Sequence, residues 1–308
     1  KPKYEEPCME AMTLGFCRKR ANDRKIWIRH GTRDTFINNN QKMVSIPDFI
    51  NKELIQYSFD AVARSIPSVF DGLKPSTRKI LYGSFLKGIW SANKEIKVSQ
   101  LAGFISEKTS YHHGEASLHS AIIGMAHNFI GSNNINYLYP SGIFGTRLMG
   151  GQDAAAPRYI FTYITDLTKL LFNQLDNNIL KYMDDDGAKI EPEYYLPILP
   201  TILINGSEGI GTGFCTKIPC YNPIDVVNNL LKVIDGEEQT EMKPWYRGFK
   251  GQIQKDSDKF GKFNTYGKYE KLSETKIRIY ELPVGVWTDK YKLILDKLEK
   301  SKVIKSYI

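Results

Sequence analysis

Apolar side chains recur at helical spacing in several stretches of this chain. Ile50, Leu54, Tyr57 and Ala61 fall on one side of a 3.6-residue repeat and predict a helix that ends near Arg64. Ser45 and Asp48 have capping-box spacing, with an acid in place of Glu, and Pro47 suits a first turn, so this helix is expected to begin at Ser45. Ser65-Ile66-Pro67 breaks it. Lys74-Pro75-Ser76-Thr77-Arg78-Lys79-Ile80-Leu81-Tyr82 opens a second helix with positive charge in its first turn. That charge opposes the helix dipole and is easier to understand beside a bound phosphate. Residues 98–108 and 118–129 read as two more helices, with Leu118, Ile122, Met125 and Phe129 on one buried face. The short turn Thr109-Ser110-Tyr111-His112-His113-Gly114 between them gives a helix-turn-helix layout, which DNA readers share with many other packed helices.

Residues 131–157 are rich in Gly, Asn, Pro and Ser and read as a long ordered loop, a feature that is usually functional inside a compact domain. The loop delivers Arg158-Tyr159 and then the apolar run Ile160-Phe161-Thr162-Tyr163-Ile164. Asp184-Asp185-Asp186-Gly187 reads as a solvated turn, and the character changes after it. Ile198-Leu199-Pro200-Thr201-Ile202-Leu203-Ile204 is strand-like, residues 206–213 are glycine-rich, and Lys276-Ile277-Arg278-Ile279-Tyr280 alternates as a strand does. Residues 225–234 and 290–298 look helical. At the other end, residues 1–45 are basic and mixed, with Asn38-Asn39-Asn40-Gln41 as a loop or linker. A helical first part therefore gives way near residues 185–200 to one that mixes strands and helices, an α+β chain without internal repeats or low-complexity tracts.

Composition refines this picture modestly. A chain of 308 residues with 42% hydrophobic residues is globular, and about 150 residues per domain suggests two domains. The net charge of +8 leans towards a polyanionic partner, although the excess is spread along the chain. Cys8, Cys17, Cys215 and Cys220 lack zinc-site spacing and read as buried free thiols in a reducing compartment. No stretch reaches the roughly 18 apolar residues of a membrane span. Lys1-Pro2-Lys3-Tyr4-Glu5-Glu6 is not a signal peptide, and without an initiator Met the sequence reads as a piece of a longer protein.

The candidate chemistry centres on Arg158-Tyr159. A tyrosine phenol is protonated at neutral pH and needs a cation or base nearby to act as a nucleophile. Arg158 supplies a permanent cation, an arrangement suited to an anionic phosphate. Among 18 tyrosines an Arg-Tyr pair is ordinarily structural, and His112-His113 alone is ordinarily a capping or surface pair. Lys74, Arg78 and Lys79 fit phosphate-positioning contacts or an ordinary solvated helix start. The glycine-rich run lacks the Lys-Ser/Thr of a P-loop, which argues against ATP binding there.

Six segments, in order, resemble the DNA breakage-and-reunion core of type IIA topoisomerases, nearest the eukaryotic topoisomerase II branch. They are Asp48-Phe49-Ile50-Asn51-Lys52-Glu53-Leu54-Ile55; Arg64-Ser65-Ile66-Pro67-Ser68; Asp71-Gly72-Leu73-Lys74-Pro75; Ser110-Tyr111-His112-His113-Gly114-Glu115; Phe144-Gly145-Thr146-Arg147 running to Arg158-Tyr159-Ile160-Phe161-Thr162; and Ile204-Asn205-Gly206-Ser207-Glu208-Gly209-Ile210-Gly211-Thr212-Gly213. Glu281-Leu282-Pro283-Val284 with Trp287-Thr288 is similar to the family as well. The strings Ser-Tyr-His-His-Gly and Ala-Pro-Arg-Tyr disfavour the bacterial gyrase and topoisomerase IV branch. Gly88-Ile89-Trp90-Ser91-Ala92-Asn93 is longer than usual, which leaves a protist or a large DNA virus open as the source.

The resemblance implies a winged-helix (helix-turn-helix) domain followed by an α/β tower domain. Residues 1–44 would be the tail of a metal-binding domain and its linker, 45–190 the winged-helix domain with the catalytic tyrosine, and 191–308 a tower that stops before the C-terminal gate. Tyr159 would be the nucleophile that leaves a 5′-phosphotyrosyl link, Arg158 and His113 would hold the scissile phosphate, and Arg64 would orient or deprotonate the phenol. Lys74, Arg78 and Lys79 would contact DNA, and Ile210 would intercalate and kink it. The implied enzyme is an ATP-dependent homodimer acting on double-stranded DNA in the nucleus, or at a viral replication site in the host cytoplasm. Its Mg²⁺ and ATP would be bound outside these residues, since Asp184-Asp185-Asp186 does not resemble the family's metal cluster. The alternative is a helix-turn-helix module that binds and bends DNA without cutting it.

Overall fold

The computed structural model describes residues 6–257 and 261–308, so most of the amino-terminal stretch read against a signal peptide lies outside the described residues. The chain forms two compact units that do not follow chain order. One takes residues up to Val69, Leu73–Pro75 and the hairpin Ser207–Ile218; the other takes Phe70–Gly72, Ser76–Gly206 and Pro219–Ile308. Helices are joined by five two-stranded sheets among the described residues, every pairing antiparallel. The class is α+β.

The first unit is built from α1 (Glu6–Phe16), α2 (Ala21–His30), a short α3 (Ile46–Asp48), a π-helical turn over Phe49–Leu54, and α4 (Ile55–Ser65). Ser45 caps the start as expected, its Oγ accepting the Asp48 N–H at 3.1 Å. The buried face differs from the one the 3.6-residue repeat predicts. Ile50, Ile55 and Phe59 are buried while Tyr57 is exposed. The π turn is the cause: its i→i+5 bonding inserts an extra residue and rotates everything downstream, so Ile50 is followed on the core side by Ile55. Ile28, Ile55 and Phe59 form the core, with Trp27, Val62 and Phe214 against it. The glycine-rich run is a β-hairpin, β5 (Ser207–Gly211) with β6 (Phe214–Ile218), in which Ile210 pairs with Cys215.

In the second unit α5 (Pro75–Lys87, which belongs to this unit from Ser76 on), α6 (Val98–Lys108) and α7 (Glu115–Ala126) bury Ile80, Leu81, Leu101, Ile105, Leu118 and Ile122. Gly83 lets α5 approach α6; a Cβ there would lie 2.6 Å from Ile105 Cγ1. The segment before α6 has a packing role, since Trp90 stacks on Phe85 at 5.3 Å and the Ile89 carbonyl accepts the Ile164 N–H at 2.9 Å. Strands β1 (Ile96–Lys97) and β2 (Phe161–Thr162) pair antiparallel, and residues 127–160 contain no helix or named strand, matching the expected loop. After α8 (Asp166–Leu171), strands β3 (Tyr182–Asp185) and β4 (Ala188–Pro192) form a hairpin. Two of the three aspartates therefore sit in a strand, and the turn is Asp186-Gly187, with φ of 52° and 81°.

Residues 198–204 are not a strand. Pro197 and Pro200 lack the N–H a ladder needs, and Thr201–Ile204 closes a helical turn (α9) on the Pro200 carbonyl, which accepts Leu203 N–H at 2.9 Å. Helix α10 (Pro223–Ile234), strands β7 (Gln252–Lys255) and β8 (Phe263–Tyr266), β9 (Lys268–Ser273) and β10 (Lys276–Glu281), and α11 (Thr288–Lys300) complete the chain, in accord with the helices and strand expected there. All four cysteines are free thiols, but only Cys220 is buried, its Sγ donating to the Asn205 carbonyl at 2.9 Å and burial pushing the thiol up to about 11. Cys215 is exposed on β6. Among the described residues no helix is long and apolar enough to cross a membrane.

Candidate active site

Arg158 and Tyr159 stand on an exposed bend held from both sides by the start of α6. Helix starts leave N–H groups without intrahelical partners. Here the Val98 N–H donates to the Ile160 carbonyl at 3.0 Å and the Ser99 N–H to the Pro157 carbonyl at 3.2 Å. The Tyr159 N–H turns back on the Ala156 carbonyl at 2.9 Å, and Ile160 is buried behind it. The phenol itself is 65% exposed. The Arg158 guanidinium lies over its ring, 4.7 Å from the centroid. An exposed phenol and a permanent cation thus occur together.

His113 is exposed in the turn between α6 and α7, its ring edge-on to Tyr111 at 5.3 Å. The turn is tethered to the β3–β4 hairpin. His112 Nε2 lies 3.5 Å from Asp185 Oδ2, and the Ser110 hydroxyl, followed by His112, holds the Asp185 carboxyl below the usual range. Ser110 has φ 48°, an uncommon left-handed conformation for a residue with a Cβ.

Two of the cations read as phosphate contacts are turned inward. Arg78 is buried, its Nε and Nη2 donating to the two oxygens of Asp71 at 2.7 and 3.0 Å, and Asp71 also accepts the Tyr195 N–H at 2.9 Å. Lys79 Nζ donates to Glu191 at 2.9 Å and to the Thr109 carbonyl at 2.5 Å. Burial pushes the fully enclosed Glu191 carboxyl up, and the Lys79 charge opposes that shift. In these geometries α5 uses both cations to fasten neighbouring segments, the turn before His113 included. Sequence reasoning missed their partners. Asp71 sits in the Asp-Gly-Leu-Lys-Pro motif, and its seven-residue offset from Arg78 is a weak local signal; Glu191 lies 112 positions from Lys79 and has none.

Arg64, Lys74 and Ile210 belong to the first unit. Arg64 is exposed at the end of α4, its Nε donating to the Asp60 carbonyl at 3.4 Å, and Lys74 is half-buried just before α5. Ile210 is 72% exposed on the hairpin. Its neighbours Gly209 and Gly211 let the strand lie against α4: a Cβ on Gly209 would overlap the Ser65 carbonyl oxygen, and one on Gly211 would lie 3.0 Å from Val62 Cα. Among the described residues no group of three or more His, Cys, Asp or Glu is placed to hold a metal ion.

Residues 64–308 match the DNA gyrase/topoisomerase IV A-subunit family, and residues 3–62 match the C-terminal associated domain of TOPRIM. The chain is 49% identical over 298 residues to the DNA topoisomerase 2 of Acanthamoeba polyphaga mimivirus, covering 97% of this chain and 23% of that protein. It is likewise 49% identical over 292 residues to the DNA topoisomerase 2 of Arabidopsis thaliana, covering 94% of this chain and 20% of that one. It therefore spans between 20% and 23% of the length of these relatives. A crystal structure of the Plasmodium falciparum topoisomerase II DNA-binding, cleavage and re-ligation domain matches 99% of this chain and 42% of its own, with a TM-score of 0.87 and 44% identity.

Proposed function

This chain belongs to the type II DNA topoisomerases, and we propose that it is the DNA-binding and cleavage core of such an enzyme. The observation that carries the reading is the exposed Tyr159 on a bend fastened by α6, with the Arg158 cation over its ring.

In this reading the Tyr159 oxygen attacks a backbone phosphorus. A P–O bond to tyrosine forms as the P–O3′ bond breaks. The phenolic proton leaves to solvent, and the departing 3′ oxygen takes one up. One phosphoester replaces another, so the strand is resealed by the reverse step. Arg158 binds non-bridging oxygens, where a planar permanent cation suits phosphate geometry. His113 donates a hydrogen bond to the same group. Arg64 has its assignment from the sequence resemblance alone. Lys74 contacts the DNA backbone, and Ile210 enters a base step from a hairpin whose glycines keep it close to α4.

The Mg²⁺ implied by the family does not fit the described residues, which bring no suitable ligand cluster together, so the chemistry above uses this chain's own groups. The glycine-rich run is a hairpin rather than a strand, phosphate loop and helix, so ATP would be held elsewhere in a longer enzyme. We assign residues 1–44 to the tail of a metal-binding domain, a reading supported by the TOPRIM-associated match, 45–190 to a winged-helix domain and 191–308 to a tower. The intact enzyme would be a homodimer that cuts both strands of one duplex, passes another through, and works in the nucleus or at a viral replication site. The test is to trap the covalent adduct with denaturant, digest it and map the modified peptide by mass spectrometry. A phosphate-linked nucleotide on Tyr159 is expected; a modification on another residue, or a 3′ linkage, would overturn the assignment.

A further inference from the structure

The catalytic reading leaves unused the segment from Glu281 to Asp289, yet that segment closes on the loop leading to Tyr159. Gly150 has φ 65° and abuts the Trp287 indole so closely that a Cβ would overlap Nε1 and Cε2. Arg147 Nη1 lies 2.6 Å from Glu281 Oε1, an ion contact off the direction of a hydrogen bond, while Arg147 Nη2 donates to the Leu282 carbonyl at 2.8 Å. Glu281 is buried, and its other oxygen accepts the Lys250 N–H at 3.1 Å. The Asp289 N–H donates to the Leu148 carbonyl at 3.1 Å. Arg147, Leu148 and Gly150 are thus each gripped.

The gripped residues belong to a closed lobe. Asp153 accepts the Thr146 N–H at 2.8 Å and its hydroxyl at 2.6 Å, the Gly151 N–H donates to the Thr146 carbonyl at 2.9 Å, and the Ala155 N–H to the Ile143 carbonyl at 2.9 Å. The chain leaves this lobe directly into Ala156-Pro157-Arg158-Tyr159. A lobe fastened to itself moves as a piece, so what holds its outer end bears on where its base delivers the tyrosine.

We propose that Trp287 and Glu281 are positioning residues for strand cleavage, holding residues 143–155 so that Arg158-Tyr159 meets the scissile phosphate. The proposal rests on Tyr159 being the nucleophile. A reacting group misplaced by about 1 Å costs about 10²-fold in rate, so the signature is slow chemistry with binding retained.

The experiment measures DNA affinity, thermal unfolding and the single-turnover rate of covalent adduct formation at saturating DNA, in the full-length protein. Trp287→Ala and Glu281→Gln are expected to slow adduct formation by about tenfold or more, with affinity changed by less than about twofold. Gly150→Ala, which pushes the lobe off an intact indole, is expected to do the same, and Trp287→Phe is expected to restore part of its rate by making room. It also serves if Trp287→Ala does not fold. Wild-type rates in the folded variants, loss of binding and cleavage in proportion, or no rescue by Trp287→Phe would each overturn the proposal. Tyr159→Phe is run alongside: an adduct from that variant sinks the catalytic reading itself, whatever the clamp does.

Discussion

At Asp71 two carboxylate oxygens meet the Arg78 guanidinium and one also takes the Tyr195 N–H, with the whole group buried. Removing one member of a buried pair strands the other charge, so Asp71→Ala is expected to lower stability by about 3–5 kcal/mol in urea denaturation. A loss below about 1 kcal/mol would mean the pair is replaced by water. Ile210 is the opposite case. It is exposed, so Ile210→Ala is expected to change stability by no more than about 0.5 kcal/mol, while DNA bending measured by fluorescence energy transfer falls; unchanged bending rules out the wedge. These residues show what a sequence displays and what it hides. Ile210 between two glycines is legible as a bare apolar tip. The charge at the start of α5 is legible too, but not its direction, because Glu191 comes from a distant hairpin.

Among elements, the hairpin β5–β6 depends on contact at Gly209. A methyl there meets the Ser65 carbonyl, so Gly209→Ala is expected to cost about 1–3 kcal/mol, the range for forced overpacking, read as a lower midpoint in urea. The lobe before Tyr159 also packs on His127, whose Nε2 is 2.9 Å from the Phe144 carbonyl. Burial pushes this imidazole down, with the Phe144 bond opposing. Its folded value lies below the unfolded one, so its stabilising contribution is present above about pH 6.5 and is lost as pH falls through the folded value. The urea midpoint of His127→Gln is therefore expected to fall less than wild type between neutral and mildly acidic pH. Helix positions were mostly legible, because α6, α7, α10 and α11 carry clear apolar periods and Ser45 a clear cap. The π turn was not. An inserted residue changes which side chains face inward without changing composition, so Tyr57 read as core and is exposed. Residues 198–204 misled for a different reason: the apolar run outweighed Pro197 and Pro200, which were visible in the sequence and argue against a central strand.

For the whole molecule, the proposed function together with the net charge of +8 predicts a salt-dependent DNA affinity. Lys74→Ala is expected to reduce the slope of log K against log salt by about one, whereas Lys79→Met, whose charge is spent on Glu191, should leave it unchanged. Equal effects of the two would place Lys79 on DNA after all. The ordered motifs made the family legible across the chain because each holds residues whose types are fixed by chemistry. The hairpin's membership of the first unit was not, since pairing across some 140 positions leaves no local trace. The central claim is that Tyr159 becomes covalently joined to DNA, and the most direct measurement compares wild-type full-length protein with Tyr159→Phe on supercoiled DNA with Mg²⁺, stopped by denaturant. Covalent protein–DNA adduct is expected from wild type alone; equal adduct from both would contradict it.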